Sequence, residues 1–262
     1  MTYTFYKYHG TGNDFVVFDN RLRTFVPDSK TIARLCSRQF GIGADGVILL
    51  NKESGYDFRM VLYNADGFEG SMCGNGGRCA AAMAHMLGFA EKKMRFIAYD
   101  GAHDAEILSY SSHGADVMLG MRDVKEYHRR KGYVLMDTGS PHYVKFVEDV
   151  NAVDAEKEGR KIRYSKRFEK SGVNVNFAAN MGNELIVRTY ERGVEAETMS
   201  CGTGVTASAL SFALLLGLEQ GPVDIKTRGG NLRIHFKKNE SAFTDIFLEG
   251  PAALSFTGSI SI

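Results

Sequence analysis

Apolar and polar positions alternate along most of this chain, and twice the alternation gives way to a run that is apolar on nearly every side. Alternation with period two is the mark of a strand with one buried face. It predicts strand, polar loop, strand over "TFYKYHGTGNDFVVFDN" (4–20) and again over "GYVLMDTGSPHYVKFVED" (132–149). "FRMVLYNADG" (58–67) reads as a strand running into an Asn/Asp/Gly turn, and alternating pieces return at 93–110, 114–121, 222–238 and 244–251. "SKTIARLCSRQF" has helical spacing, starts after Pro27-Asp28-Ser29 and is expected to run on to a stop at Gly41. The two apolar runs, 77–87 and 205–216, predict helices buried on all sides. The charged stretch 122–132, "RDVKEYHRRKG", reads as a linker.

The pattern repeats. "TGNDFVVF" begins at Thr11 and "TGSPHYVKF" at Thr138, an offset of 127; Cys73-Gly74 and Cys201-Gly202 are offset by 128. Glu69 and Glu197 each lie four residues before those cysteines, and "ADVMLGM" (115–121) matches "TDIFLEG" (244–250) at an offset of 129. Four anchors in one order at nearly one spacing, close to half of 262 residues, imply two homologous half-domains rather than a solenoid. Each half is expected to be an α+β unit with one buried helix wrapped by strands.

Composition narrows the function. Hydrophobic residues make up 44% and charged residues 24%, enough for a substantial core. Thirty-two basic and 31 acidic residues nearly cancel, which gives no reason to expect nucleic acid or an anionic membrane as partner. No apolar run reaches the length of a membrane span, and "MTYTFYKYHG" has no secretory core, so a cytoplasmic protein is expected. The four cysteines form no C-x-x-C and no zinc-like cluster, so no metal is expected. Cys36 and Cys79 read as small buried hydrophobes.

Cys73 and Cys201 resist that reading because glycines surround both, in "SMCGNGGRC" and "SCGTGVT". A glycine-rich turn at a helix start presents backbone N–H groups and the positive end of the helix dipole, a site for a carboxylate and for a thiol of lowered pKa. If a pseudo-twofold axis relates the halves, two such sites face each other. One thiolate then removes an α-proton, the opposite thiol delivers one to the other face, and N–H donors stabilise the carbanion as its charge spreads onto the carboxylate. Inversion of an amino acid needs those parts.

These residues carry a resemblance. With "GTGNDFVVFDNR", "FGIGADG", "NADGFEGSMCGNGGRC", "GSPHYV", "GVNVNF", "TYERGVEAETMSCGTG" and "LEGPA" in order, nearly the whole chain resembles the diaminopimelate epimerase family of lysine and peptidoglycan synthesis. The resemblance implies two half-domains, each a strand barrel around a central helix: 1–122, with 251–262 packing back onto it, and 123–250. It implies a homodimer that interconverts LL- and meso-diaminopimelate in a cleft, with neither PLP nor metal. Position by position, Cys73 and Cys201 match the catalytic bases. Gly74-Asn75 and Gly202-Thr203 match the loops that hold the reacting carboxylate. Asn13, Asn64, Asn174 and Glu191-Arg192 match substrate contacts, and His142 and Glu191 match groups that tune the thiols. Read without the resemblance, Asn13 and Asn64 are turn residues, Asn174 is a strand-edge residue, His142 a surface residue and Arg192 a solvated loop charge.

Three departures stand out. Ser140 replaces the asparagine of "GNPH", Gly46 stands where some members have glutamine, and "ERGVEAET" is one residue longer than usual, so the loop before Cys201 is expected to bulge. Rival readings are a proline or hydroxyproline racemase of the same fold, whose first loop has histidine where this chain has Asn75, a binding module with inert cysteines, and a thiol–disulfide redox protein.

Overall fold

Nearly every alternating segment becomes a strand, and the two apolar runs become helices that the strands enclose. The computed structural model describes residues 1–182, 184–240 and 242–262. They form two compact units, one of Met1–Leu119 with Gly250–Ile262 and one of Gly120–Glu249.

In the first unit, β1 (Thr2–Gly10) and β2 (Asn13–Asp19) form a hairpin. Its turn takes Thr11 and Gly12 into left-handed backbone, at φ 48 and 86. Helix α1 (Ser29–Cys36) crosses to β3 (Gly46–Asn51), which runs parallel to β2, and β4 (Phe58–Asn64) returns antiparallel. Helix α2 (Gly74–Met86) crosses to β5 (Lys93–Ala98), parallel to β4; β6 (Gly101–Ser111) and β7 (Gly114–Gly120) follow as an antiparallel meander. The eighth strand comes from the far end of the chain. Residues 250–253 pair with β7, and residues 253–261 pair with β1, so the sheet closes on itself. Closure leaves no strand edge exposed.

The second unit repeats this order: β8 (Tyr127–Arg130), β9 (Tyr133–Asp137), β10 (Pro141–Phe146), α3 (Ala155–Arg163), β11 (Asn174–Asn180), β12 (Leu185–Glu191), the short β13 (Ala196–Thr198), α4 (Gly202–Leu216), β14 (Val223–Thr227), β15 (Gly230–Asn239) and the first part of β16 (Ala242–Ser261). The parallel pairs recur at the same places, β10 with β11 and β12 with β14. Closure recurs too: Met121 donates to the Ile246 carbonyl at 2.8 Å, and Val124 and Phe243 exchange bonds of 2.9 and 2.8 Å. Each unit therefore draws its eighth strand from the chain that follows the other unit's last meander strand. The result is the α+β fold the resemblance implies, two half-domains that are each a strand barrel around a central helix.

This swap corrects the reading of 122–132 as a linker. Val124 is 1% exposed and belongs to the second unit's core, and 127–130 is a strand. The lone valine among charges hid the segment, because a short strand at a barrel seam buries few side chains. Helix α1 also ends earlier than expected, at Cys36. Residues 37–44 fold back over its end, with Ile42 and Gly43 both donating to the Leu35 carbonyl and Ala44 to that of Cys36. Helix α3 had no counterpart in the pattern. It buries only Ala155 and Gly159, too narrow a stripe to register, although its Asp154 cap, early Glu156 and Glu158 and late Arg160, Lys161 and Arg163 follow the order the helix dipole favours. Gly159 is required there: a Cβ would stand 2.4 Å from the Cβ of Tyr190 on β12.

Gly159→Ala tests that contact. Alanine improves helix propensity by up to about 1 kcal/mol. The clash is with the root of a side chain, which cannot swing away, and overpacking of this kind costs roughly 1–3 kcal/mol. A net loss of stability is expected, read as a lower urea midpoint at unchanged slope. A midpoint at or above wild type would show that α3 does not press on Tyr190.

Candidate active site

Both glycine-rich segments are more regular than the sequence suggests. The helices begin at Gly74 and Gly202, not at 77 and 205, so the glycines form the first turn rather than a loop ahead of it. Cys73 and Cys201 are the N-cap residues, with nearly equal backbone angles of φ −117, ψ 123 and φ −119, ψ 112. The glycines let that first turn press against strands. A Cβ on Gly204 would meet the Asn176 Oδ1 at 2.5 Å, and one on Gly76 the Met60 Cε at 3.1 Å. Each thiol thus sits beside N–H groups that have no acceptor within the helix, at the positive end of its dipole. That placement favours the thiolate.

In the first unit, the Cys73 Sγ lies 3.5 Å from the Asn13 Oδ1, which also accepts from the Asn75 Nδ2 at 3.3 Å. Asn13 in turn donates to Asp45 at 2.8 Å. Asn75 is buried, and its Oδ1 accepts from Arg78, a residue on the same helix. Cys73, Gly74, Asn75 and Asn13 are therefore one cluster. Asn64 closes β4 opposite Gly46 and lies against Gly70, where a Cβ would stand 2.7 Å from its Oδ1. Gly46 is more than a missing side-chain contact: a Cβ there would meet the Tyr63 carbonyl at 2.6 Å.

In the second unit, the Cys201 Sγ is 3.4 Å from the Thr203 Oγ1, and the Thr203 carbonyl accepts from Thr138 at 2.8 Å. Cys201 is 7% exposed. A second cluster gathers at the ends of β11 and β12. Asn174 donates to the Ser140 Oγ at 2.8 Å and accepts the Arg192 backbone N–H at 2.8 Å. Ser140, the residue where the family pattern has asparagine, thus holds Asn174. Arg192 is exposed, and its guanidinium donates to the Ser171 carbonyl at 2.9 Å. Glu191 is the half-buried last residue of β12. The long "ERGVEAET" segment closes as a β12–β13 hairpin, with Gly193 and Glu195 in left-handed backbone and Glu195 donating back to the Glu191 carbonyl.

His142 is not a surface residue. It is 1% exposed, and burial, together with the Arg192 charge, pushes its pKa down to about 3. Its Nδ1 lies 3.1 Å from the Asn176 amide nitrogen, which also donates to the Tyr143 carbonyl, while the Asn176 Oδ1 accepts from Thr189. The ring is thereby neutral with its proton on Nε2, and among the described residues no hydrogen-bond partner meets that atom. Asn176 and Thr189 flank Gly204 in the first turn of α4, so the histidine is tied to the helix that carries Cys201.

The remaining cysteines behave as small hydrophobes. Burial pushes Cys36 up to about 11 and Cys79 up to about 12. Among the described residues no three His, Cys, Asp or Glu side chains gather as metal ligands. Sequence reasoning missed Arg78, Asn176 and Asp45. The first two had a signal, since a charged or amide residue inside an apolar run needs a buried partner; Asp45 passed for an ordinary turn residue in "GADG".

The neutral His142 makes stability depend on pH. Its folded pKa lies below the unfolded value of about 6.5, so the unfolded chain takes up the proton first and stability falls as pH drops. Between pH 7 and 5 that loss is about 2 kcal/mol. His142→Gln should remove it: urea midpoints measured at both pH values should converge more closely in the variant than in wild type. Equal acid sensitivity in the two proteins would mean that His142 is not held neutral.

Comparison with known proteins agrees with this geometry. The family model described as diaminopimelate epimerase matches residues 5–122 and 134–255, and so covers both units. The chain is similar to the diaminopimelate epimerase of Flavobacterium psychrophilum, 45% identical over 257 residues, 97% of this chain and 99% of that one. It is 39% identical over 259 residues to that of Chlorobaculum tepidum, again covering 97% and 99%. Among solved structures, a Bacillus anthracis phenazine biosynthesis protein of the PhzF family shares the fold, with a TM-score of 0.77 and 12% identity over 100% of both chains. Repeated barrels, paired N-cap thiols and full-length relatives converge on one assignment: the chain belongs to the diaminopimelate epimerase family.

Proposed function

We propose that this chain interconverts LL- and meso-diaminopimelate by inverting one α-carbon with two thiols, Cys73 and Cys201. The observation that carries the reading is the repeat of one device: a cysteine at the N-cap of a glycine-started, buried helix, present in each unit. The half-domain 1–122, with 251–262, supplies Cys73, and the half-domain 123–250 supplies Cys201.

In one direction a thiolate takes the α-proton and becomes a thiol. The electron pair spreads onto the substrate carboxylate, where the first-turn N–H groups of Gly74-Asn75 and Gly202-Thr203 stabilise the charge. The second thiol gives its proton to the opposite face and becomes the thiolate. The scheme requires both sulfurs to reach one carbon from opposite sides. Asn13, Asn64, Asn174, Glu191 and Arg192 hold the rest of the substrate. His142 and Glu191 tune the thiols, His142 through Asn176 and the first turn of α4. The family likeness is what supports a homodimer and a cytoplasmic setting; among the described residues no helix is long and apolar enough to cross a membrane.

Two measurements test this. In D₂O, the product isomer should gain deuterium at the α-carbon while remaining substrate stays protiated early in the reaction, because the incoming proton comes from the other thiol. Deuterium appearing equally in early substrate and product would point to one shuttling base instead.

The second concerns the distal end of the substrate. Arg192 is fixed by the Ser171 carbonyl and, through its backbone, by Asn174. A planar fork at that place suits a carboxylate in a way that lysine does not. Sites built to hydrogen-bond a group reject analogues lacking it by factors on the order of 10⁴ or more. Lysine, which lacks the distal carboxylate, should therefore be barely epimerised, and alanine and proline not at all. Arg192→Lys should lower the ratio of kcat/KM for diaminopimelate over lysine while both thiols stay open to alkylation. A wild-type ratio near one, or one the substitution leaves alone, removes Arg192 from that role.

A further inference from the structure

The near-equal N-caps at Cys73 and Cys201 favour a thiolate at both places, yet inversion by two thiols needs one thiolate and one thiol. Side chains must break the tie, and the first unit holds one placed to do so. Asp45 lies just ahead of β3. Its Oδ2 accepts from the Asn13 Nδ2 at 2.8 Å and from the Asp14 backbone N–H at 3.2 Å, and its Oδ1 accepts from Arg38 at 2.8 Å. A carboxylate paired with arginine has no proton to give, so it can only accept. An asparagine side chain has an NH2 at one end and an oxygen at the other. With the NH2 end of Asn13 held by Asp45, its oxygen points the other way, and there it accepts from the Cys73 sulfur at 3.5 Å.

The far end of the network agrees. The Asn75 Oδ1 accepts from the Arg78 guanidinium at 3.1 Å and from the Thr11 hydroxyl at 3.4 Å. The NH2 end of Asn75 therefore faces the Asn13 Oδ1, at 3.3 Å. A donor-only cation at one end and an acceptor-only anion at the other give every bond in the run Arg78–Asn75–Asn13–Asp45 a single direction. A thiolate at Cys73 would set a second acceptor against the Asn13 oxygen, and a hydrogen bond made by the neutral form disfavours the charged one. Other charges on the elements around α2 are engaged with one another. Lys7 of β1 pairs with Asp14 of β2, which also holds Arg38, and Asp19 pairs with Arg21. Arg59 of β4 pairs with Glu53, and Glu106, Asp104 and His103 of β6 with Lys93, Arg95 and Asp100. His9 accepts from the Gly12 N–H, and His85 meets the Tyr110 ring at the other end of α2. β3 reads GVILLN and carries no charge.

The repeat places a different pair at the two amide positions. The residue 127 on from Asn13 is Ser140, and the residue 128 on from Asn75 is Thr203. The Thr203 hydroxyl lies 3.4 Å from the Cys201 sulfur, and Ser140 accepts from Asn174. A hydroxyl rotates, so that of Thr203 can donate to a sulfur anion as readily as it accepts from a thiol. Resting on the two-thiol reading above, we infer that Asp45 is a positioning residue: it fixes Asn13 with its oxygen on the Cys73 sulfur, and so makes Cys73 the resting thiol and Cys201 the resting thiolate.

The test is the pH dependence of alkylation by iodoacetamide without substrate, mapped cysteine by cysteine. In wild type Cys73 should titrate above Cys201; the reverse order overturns the inference without any variant. In Asp45→Asn the new side chain can donate as well as accept, so Asn13 can turn its NH2 end to the sulfur. The Cys73 midpoint should then fall by about one pH unit, with that of Cys201 unmoved. Loss of a negative charge would also lower it through space, and a double-mutant cycle separates the two effects. In an Asn13→Ala background the Asp45→Asn shift should vanish. A Cys73 midpoint that Asp45→Asn leaves in place, or a shift that survives the loss of Asn13, overturns the inference. The limbs of the kcat/KM profile report the free enzyme's base and acid, so Asp45→Asn should bring the alkaline limb to lower pH and leave the acid limb. A rate lowered equally at every pH would mean that Asp45 only braces the chain ahead of β3, and the inference fails. Alkylation is read without turnover, so absence of diaminopimelate epimerisation would reject the proposed function and leave the order of the two thiols to stand or fall by itself.

Discussion

A helix enclosed by a closed barrel of eight strands has little room, and that constraint shapes everything else in each unit. A barrel of that size is just wide enough to be filled by side chains. For a helix to occupy it, the helix must be thin. α2 therefore reads GNGGRCAAAMAHM, and α4 reads GTGVTASALSFALLL, both rich in glycine, alanine or serine, with a few large side chains such as Met83, Leu210 and Phe212 filling the remaining space. Glycines in the first turn let it lie close to its surroundings. The N-cap position then becomes the one place on the helix where a reactive side chain meets the dipole without filling the barrel, and there both units carry cysteine.

The same constraint explains why several of the buried polar groups are linked to one another. A polar side chain that enters the barrel is favoured when it brings hydrogen bonds with it, because an unsatisfied polar group there costs about 1–3 kcal/mol. In the first unit the chain runs from Arg78 through Asn75 to Asn13 and out to Asp45. In the second it runs from His142 through Asn176 to Thr189. The two barrels share a backbone plan but solve the problem with different electrostatics, a buried cation on the helix of one and a neutral imidazole tied to the helix of the other. Duplication supplied one scaffold twice; the side chains then made its copies unequal.

Much of this was legible in the sequence. The offset anchors at Thr11 and Thr138 and at Cys73 and Cys201 imply the two halves, and the alternation implies nearly every strand. The cysteine motifs name the helix starts that matter, although the starts fall three residues earlier than apolar pattern alone places them, because glycine carries no hydropathy signal. What stayed hidden has a common cause. Val124, the seam of the second barrel, is a single apolar residue among charges, and its role depends on Phe243, well over a hundred residues away. His142 reads as a surface histidine because the asparagine that buries it lies on a parallel strand. Local pattern reports the face a residue shows to its own element; it is silent on partners that the topology delivers from afar.

The exchange of eighth strands is the strongest such case, and it bears on chemistry. Pro251 stands in the segment that closes the first barrel, paired with Asp116 of β7, and its carbonyl accepts from the buried Arg78. Proline lacks an N–H, so its carbonyl is its whole contribution to backbone hydrogen bonding, and here that contribution goes to the guanidinium inside the first barrel. The segment that closes the barrel therefore also anchors the cation. The chain reaches this segment only after the second unit has been traversed, so the buried cation of α2 gains this hydrogen bond only when residues 250–261 have closed the barrel.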